Sequence, residues 1–457
     1  PFKTLRFQEG EDQTWGVNFY RKIRRRNEDA HWSMIPRPYR LNRVSFAGTL
    51  EGLSAVPQGR NVYVKPYLST PITRRQGDDV DFMPELGLDA KYGLTPSMTL
   101  DLTVNTDFAQ VEADEQQINL TRFSLFFPEK REFFLENSGI FQFAKTGGFF
   151  SRDLIPFFSR RIGISRGRLV PIPGGARLSG RAGRNAVGIL SMQAAEFEET
   201  PSTNFSVFRF RRDILRNSDV GGLFVNKQSD GHFNRTYGAD VNFKFLNYLD
   251  ISSYLLKTDT TDVQDQELAG SFNLRWSDPR MDIEGNYLSI EENFNPEVGF
   301  VPRTGIRKSF GKVLLKPRPE SISWVREFRP SLQAQYITNQ ENLPETRIVR
   351  GDFATIFPNG GTLEFTYQSR FERLKNPFEI RPGQQVPAGD YQFGEFIASF
   401  TTDQSRMLVG SGSLTMGDFF DGEKGTYRVD FGLHPGYQLA TNLTWRHDDV
   451  RLPSGDF

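Results

Sequence analysis

The chain of 457 residues carries no cysteine, which excludes disulfides, thiol catalysis and zinc-thiolate sites. Lysine plus arginine and aspartate plus glutamate stand at 56 each, so no basic surface for nucleic acid is expected. Phenylalanine is heavy at 42 residues, yet no run approaches the about 20 consecutive apolar residues of a membrane-spanning helix; a helical membrane protein is excluded and a strand-built one is not.

Residues 1–55 hold two short alternating pieces, Lys3 to Phe7 and Thr14 to Arg25, then the proline-bearing link Ile35-Pro36-Arg37-Pro38. They read as the end of an N-terminal β domain and a linker. The chain opens on Pro1-Phe2-Lys3 and stops at Gly455-Asp456-Phe457 beside a strand-like segment. The expectation is a fragment, with its export signal and last strands outside this range.

From residue 56 onward the pattern is one of long alternating strands. Met98, Leu100, Leu102 and Val104 alternate with Thr99, Asp101, Thr103 and Asn105. Tyr237, Ala239, Val241, Phe243 and Phe245 share one face against Gly238, Asp240, Asn242 and Lys244, and Leu268 to Trp276, Tyr427 to Leu433 and Tyr437 to Trp445 repeat the arrangement. Strands of about 9 to 13 residues suit a tilted crossing of a bilayer, whereas strands of soluble sheets average about 5 to 6. Tight links at Leu94-Thr95-Pro96-Ser97, Ser277-Asp278-Pro279-Arg280 and His434-Pro435-Gly436 contrast with longer polar ones at 258–266 and 373–390, and aromatics such as Phe243, Trp276 and Trp445 gather at strand ends. The fold class expected over 56–457 is all-β: a large antiparallel outer-membrane barrel of about 18 or more strands, truncated at its C-terminus. A propeller would need a repeat of about 40 to 50 residues, and none is present.

Between Asn105 and Gly174 the period of two is lost, over a stretch too long for an ordinary connection. Within it, residues 126–143 read FFPEKREFFLENSGIFQF. Pro128 fits the first turn of a short helix, Glu129 its positive end, and Asn137 or Gly139 its C-terminal cap. These phenylalanines cannot all face water, and the charges cannot face lipid at a few kcal/mol each. Residues 108–159 are therefore expected to fill the barrel lumen as a plug.

Here the residues carry a resemblance. Asn105-Thr106-Asp107-Phe108-Ala109-Gln110-Val111-Glu112-Ala113-Asp114, then Asn119-Leu120-Thr121, then Phe127-Pro128-Glu129-Lys130-Arg131-Glu132-Phe133-Phe134-Leu135-Glu136 resemble the signature of a bacterial family of unknown function. Its members place an outer-membrane β-barrel after a domain similar to family-nine carbohydrate-binding modules. Pro1 to Phe7 and Trp15 to Arg21 resemble the closing strands of that module. The resemblance implies architecture and location; it supplies no activity and no sugar-binding residues.

The candidate site is a charge network of lumen and plug made by Glu112, Asp114, Glu129, Lys130, Arg131, Glu132, Glu136, Arg160 and Arg161. Pairing of the acids with arginines of the wall or of 152–184 is favoured, because buried charges are paired. Glu112, Asp114 and Glu115 offer oxygen ligands for Ca²⁺, but no glycine-centred loop accompanies them. His31, His232, His434 and His447 are scattered, with no HExxH spacing and no GxSxG elbow, so no metal, no cofactor and no Ser/His/Asp set is expected, while a pair of carboxylates stays open and the catalytic residues of an enzyme are unknown. Two functions remain: a barrel for uptake, export or docking of an extracellular solute such as carbohydrate, or a membrane-embedded hydrolase with a carboxylate site in its lumen. The expected partners are outer-membrane lipid, a carbohydrate or other small solute, and envelope proteins.

Overall fold

The computed structural model describes residues 7, 12–23, 28–35, 41, 44–54, 62–69, 72–73, 81–82, 85–106, 119–144, 153–165, 168–215, 217–246, 248–261, 263–381, 383–434 and 439–457. Twenty strands form one antiparallel sheet. Three precede the long aperiodic stretch: β1 (Val62–Ser69), β2 (Glu85–Thr95) and β3 (Met98–Val104). After it come β4 (Gly174–Ala182), β5 (Asn185–Ala194), β6 (Thr203–Ile214), β7 (Ser218–Ser229), β8 (His232–Phe245), β9 (Leu249–Thr260), β10 (Leu268–Ser277), β11 (Met281–Ile290) and β12 (Ile306–Leu315). The rest are β13 (Glu327–Asn339), β14 (Pro344–Ile356), β15 (Thr362–Leu374), β16 (Gly389–Thr401), β17 (Leu408–Phe419), β18 (Gly422–Leu433), β19 (Thr441–Leu452) and the two-residue β20 (Gly455–Asp456).

Neighbours in sequence are neighbours in the sheet, and β3 pairs with β4 across the aperiodic stretch, with Leu100 opposite Leu178. The strand order returns from β20 to β1; a residue register is described for every seam but that one.

Burial along these strands is the reverse of a soluble sheet. On β8, Tyr237 is 39% and Phe245 41% exposed, while Asn234, Thr236 and Asp240 are buried at 1% each. On β10, Phe272 is exposed and Ser271 buried; Val429, Phe431 and Leu443 are exposed on β18 and β19. Apolar side chains that face outward over long strands have water as an unfavourable neighbour and hydrocarbon as a favourable one. At the end of the sheet holding the 95–98 turn, rings pack pairwise: Phe243 on Phe245 at 5.8 Å, Tyr248 on Trp276 at 6.0 Å, Phe328 on Phe353 at 5.4 Å.

Several expectations need correction. The strand expected from Tyr437 begins at Thr441, and 435–438 lie outside the described residues. The contrast of tight turns at one end with long loops at the other holds for only part of the sheet: 291–305 and 375–388 are long, yet Asp230-Gly231 and Phe420-Asp421 close tight turns at the same end. Positive φ at Gly231 and Phe420 makes those reversals. In the N-terminal region Asp12–Val17 pairs with Gly48–Ser54, and Tyr20–Ile23 with Glu28–His31. Of the piece from Lys3 to Phe7, only Phe7 is described.

Candidate functional site

The crowded stretch at 126–143 is organised by one arginine. Glu129 accepts the backbone N–H groups of Lys130 and Arg131, both at 3.0 Å. It also accepts Arg131 Nε at 2.8 Å, Arg131 Nη2 at 2.7 Å and Ser159 Oγ at 2.7 Å. Arg131 also donates to the carbonyls of Ile162 at 2.7 Å and Ser159 at 2.6 Å, and its guanidinium lies 4.2 Å over the Phe134 ring. The side chain thus ties 129–134 to 159–162. Burial would raise the Glu129 carboxyl, but Arg131 and Ser159 outweigh it and hold it below the ordinary glutamate range.

The expected helix is shorter than its sequence suggests: it spans Glu132–Leu135, with Arg131 as its N-cap and no side-chain cap. Pro128 and Glu129 lie outside it, because the carboxylate folds back onto its own following N–H groups. The C-cap is Glu136 in extended backbone, not the expected Asn137 or Gly139; Asn137, left-handed at φ 54°, opens the 3-10 turn that follows.

The segment is held to the sheet by side chains from strands far apart. From β4, Arg177 binds Asp101 of β3 at 2.8 Å and donates to the carbonyls of Glu136 at 2.7 Å and Phe133. From β6, Arg209 binds Asp240 of β8 at 2.7 Å and donates to Gln142 O at 3.2 Å; the other Asp240 oxygen accepts the Ala144 N–H at 3.0 Å. Lys308 of β12 grips Asp153 at 2.8 Å, and Arg122 lies 3.5 Å from Glu372 of β15. Burial pushes the Asp153 carboxyl above its ordinary value against the attraction of Lys308. Between these polar ties, Phe134, Phe141, Phe143 and Ile162 share one apolar cluster with wall residues Leu190, Met192, Val225 and Leu256. The approach is close enough that a Cβ on Gly188 would meet the Phe141 ring at 2.9 Å, and one on Gly221 would meet Arg209 Nη1 at 2.5 Å.

Glu112 and Asp114 lie outside the described residues, as does Glu115. The acids that are described find partners other than those expected. Glu132 pairs with Lys65 of β1 at 3.1 Å and Glu136 with Lys91 of β2, lysines in place of arginines. Arg160 donates to Pro128 O at 2.8 Å and Arg161 to Gly299 O at 3.1 Å, so both satisfy carbonyls. Lys130 donates its backbone N–H to Glu129. Arg177 is one of the arginines expected within 152–184, but it binds Asp101 in place of the segment's acids; Asp101, Arg209, Asp240 and Lys308 were missed, and Arg209 and Lys308 share their strand faces with the apolar Val207 and Ile306, so the alternation did not mark them. Among the described residues no cluster of three metal-ligating side chains occurs.

Elsewhere the same face is wet. Asp352 accepts Arg350 at 2.6 Å, Thr366 at 2.7 Å and Ser331 at 2.8 Å. Asp430 accepts Arg428 at 3.0 Å, Thr444 at 2.8 Å and Ser411 at 3.0 Å. Arg446 with Asp448 at 2.8 Å and Lys424 with Glu395 at 2.6 Å continue a lining of hydroxyls and neutralised charges over β13 to β19.

Residues 61–168 match a domain of unknown function, DUF5916. A search of the curated proteins finds no match. Among solved structures, OccK10 (OpdN) of Pseudomonas aeruginosa is similar at 12% identity and a TM-score of 0.37, over 63% of this chain and 91% of that one. The outer membrane protein opdK of the same organism is similar at 12% identity and 0.34, over 60% and 90%. OccAB2 of Acinetobacter baumannii is similar at 9% identity and 0.32, over 61% and 87%. At such scores no pore, solute or strand count transfers to this chain.

Proposed function

We propose that residues 56–457 form a closed outer-membrane β-barrel of a bacterium, that 108–159 act as its lumenal plug, and that it serves uptake, export or docking of an extracellular solute such as carbohydrate. One observation carries the reading: exposed aromatic and aliphatic side chains stand on one face of the sheet, and neutralised charges and hydroxyls on the other. Strands β5 to β19 run 10 to 14 residues, against the about 9 to 11 that a tilted crossing needs. The face touched by the segment is the lumen, since the opposite face suits hydrocarbon alone.

Hydroxyls and paired arginine–carboxylate groups on β13 to β19 suit a hydroxyl-rich solute, which can exchange hydrogen bonds with either partner. Residues 1–55 are the end of a carbohydrate-binding-module-like domain and a linker, on the periplasmic side where barrel N-termini and tight turns lie.

The test is conductance and sugar permeation of the purified chain in lipid bilayers. Insertion, with a several-fold larger conductance and faster disaccharide swelling of liposomes after deletion of 108–159, is expected. A water-soluble chain, or a deletion that assembles and changes neither readout, overturns the reading.

A further inference from the structure

A cavity of about 650 Å³ lies between the segment and the wall strands β11 to β15, with a chemistry unlike that of the hydroxyl-rich lining. Its apolar side is made by Phe123, Phe126, Phe300, Ile306, Ile337 and Ile348. Phe126 is fixed there by ring contacts with Phe158 at 5.2 Å and Phe300 at 5.3 Å. Leu288, Ile306 and Ile337 are buried, so this side is preformed.

The polar side has spare donors and committed acceptors. Asp153 is taken by Lys308, and Glu372 accepts Thr346 Oγ1 at 3.0 Å while facing Arg122 at 3.5 Å and Arg370 at 3.7 Å. The side chain of Arg370, which lines the cavity, makes no hydrogen bond to another described residue, and neither does that of Gln335. One guanidinium nitrogen of Arg122 beside them is buried without a hydrogen-bond partner. Arg303 is shared with Glu345, which Lys375 also approaches at 2.7 Å. Among the described residues, Arg122 and Arg370 share Glu372, Arg303 and Lys375 share Glu345, and Lys308 takes Asp153.

We infer that this cavity is a binding site for a monoanion with an apolar body, a carboxylate whose oxygens take the Arg370 fork and Gln335 while its body lies against Phe126, Ile337 and Ile348. A planar guanidinium with free donors matches a carboxylate with two bonds at once. The apolar side gives a sugar nothing to bond, so the site selects against the hydroxyl-rich solute proposed above. It rests on the reading of 119–126 as a segment inside the barrel.

The test is titration of the full chain in phosphatidylcholine nanodiscs with 1-naphthoate, and with the neutral 1-naphthalenemethanol, by calorimetry against empty nanodiscs. Saturable naphthoate binding is expected, about ten-fold or more tighter than that of the alcohol. Arg370→Gln should weaken it about ten-fold or more, and Ile348→Trp, which fills the space, should abolish it. Arg275→Gln, the same charge change on β10 at a residue that does not line the cavity, should leave it unchanged. Absence of saturable binding, equal affinity for the alcohol, or an unaltered Arg370→Gln protein overturns the inference. Bilayer conductance reports the barrel reading separately, so either can fail while the other stands.

Discussion

The inner face of the sheet is two surfaces with one backbone pattern. Over β4 to β12 the inward positions are Leu190, Met192, Val225, Leu256 and Ile290, packed on the segment, with a few arginines sunk among them. Over β13 to β19 they are chiefly hydroxyls and charges, with Leu374, Phe393, Phe419, Val450 and Leu452 gathered in a second apolar cluster. The arginines show the difference: side chains of Arg177 and Arg209 are 2% and 1% exposed, those of Arg428 and Arg446 51% and 41%. The deep ones each bind a carboxylate and backbone carbonyls of the segment at once, because a guanidinium away from water must fill its donors from the protein. The open ones pair with a carboxylate two residues along their own strand and leave the rest to solvent. The same residue type is thus a structural tie on one side and a lining on the other.

The comparison breaks most visibly at Arg209. Arg209→Ala leaves Asp240 buried and uncompensated and should cost about 3 to 5 kcal/mol in urea unfolding from detergent, with the 142–144 stretch released to protease. If it unfolds like the native protein, the covered half is not held by its buried pairs. A purely apolar cut comes next: Ile162→Ala, at a fully buried position, should cost about 2 to 5 kcal/mol by the same measurement.

Acid should loosen the covered half from the Glu129 side. The folded carboxyl is held below its unfolded value, so its stabilisation is complete above the ordinary glutamate pKa near 4.3 and is lost as pH falls through the depressed folded value. Amide hydrogen exchange over 129–135 should therefore accelerate below about pH 4, and the acceleration should flatten in Glu129→Gln. An unchanged profile in that variant would assign the acid sensitivity to other groups.

The smallest effect belongs to the open side. Arg428→Ala should cost only about 0 to 1 kcal/mol, since water replaces the lost pair. Its readout is electrical instead: removing one cation from a balanced lining should shift the reversal potential in a salt gradient toward cation preference. A loss of stability comparable to that of Arg209→Ala would erase the distinction between the halves.

Parts of the site were legible. Glu129 and Arg131 stand two apart in the sequence, and their pairing needs no fold beyond a local turn. Glu132 and Glu136 read in the sequence as charges that must be neutralised, with arginines as the expected partners, whereas Lys65 and Lys91 of the first two strands face them. Arg209 and Asp240 are separated by a full intervening strand, and Lys308 stands 155 residues from Asp153. No spacing rule relates such positions.

The wall is written in the local pattern: a period of two survives any register, so Tyr237, Phe272, Val429 and Leu443 fall on one face and Asp240, Ser271 and Asp430 on the other whatever the pairing. The sequence also made the segment at 126–143 incompatible with both lipid and open water. Which inward residues meet that segment and which meet solvent is set by long-range packing alone. That choice depends on where a chain returning between β3 and β4 comes to rest across strands far apart in sequence, and a local pattern contains no such distance.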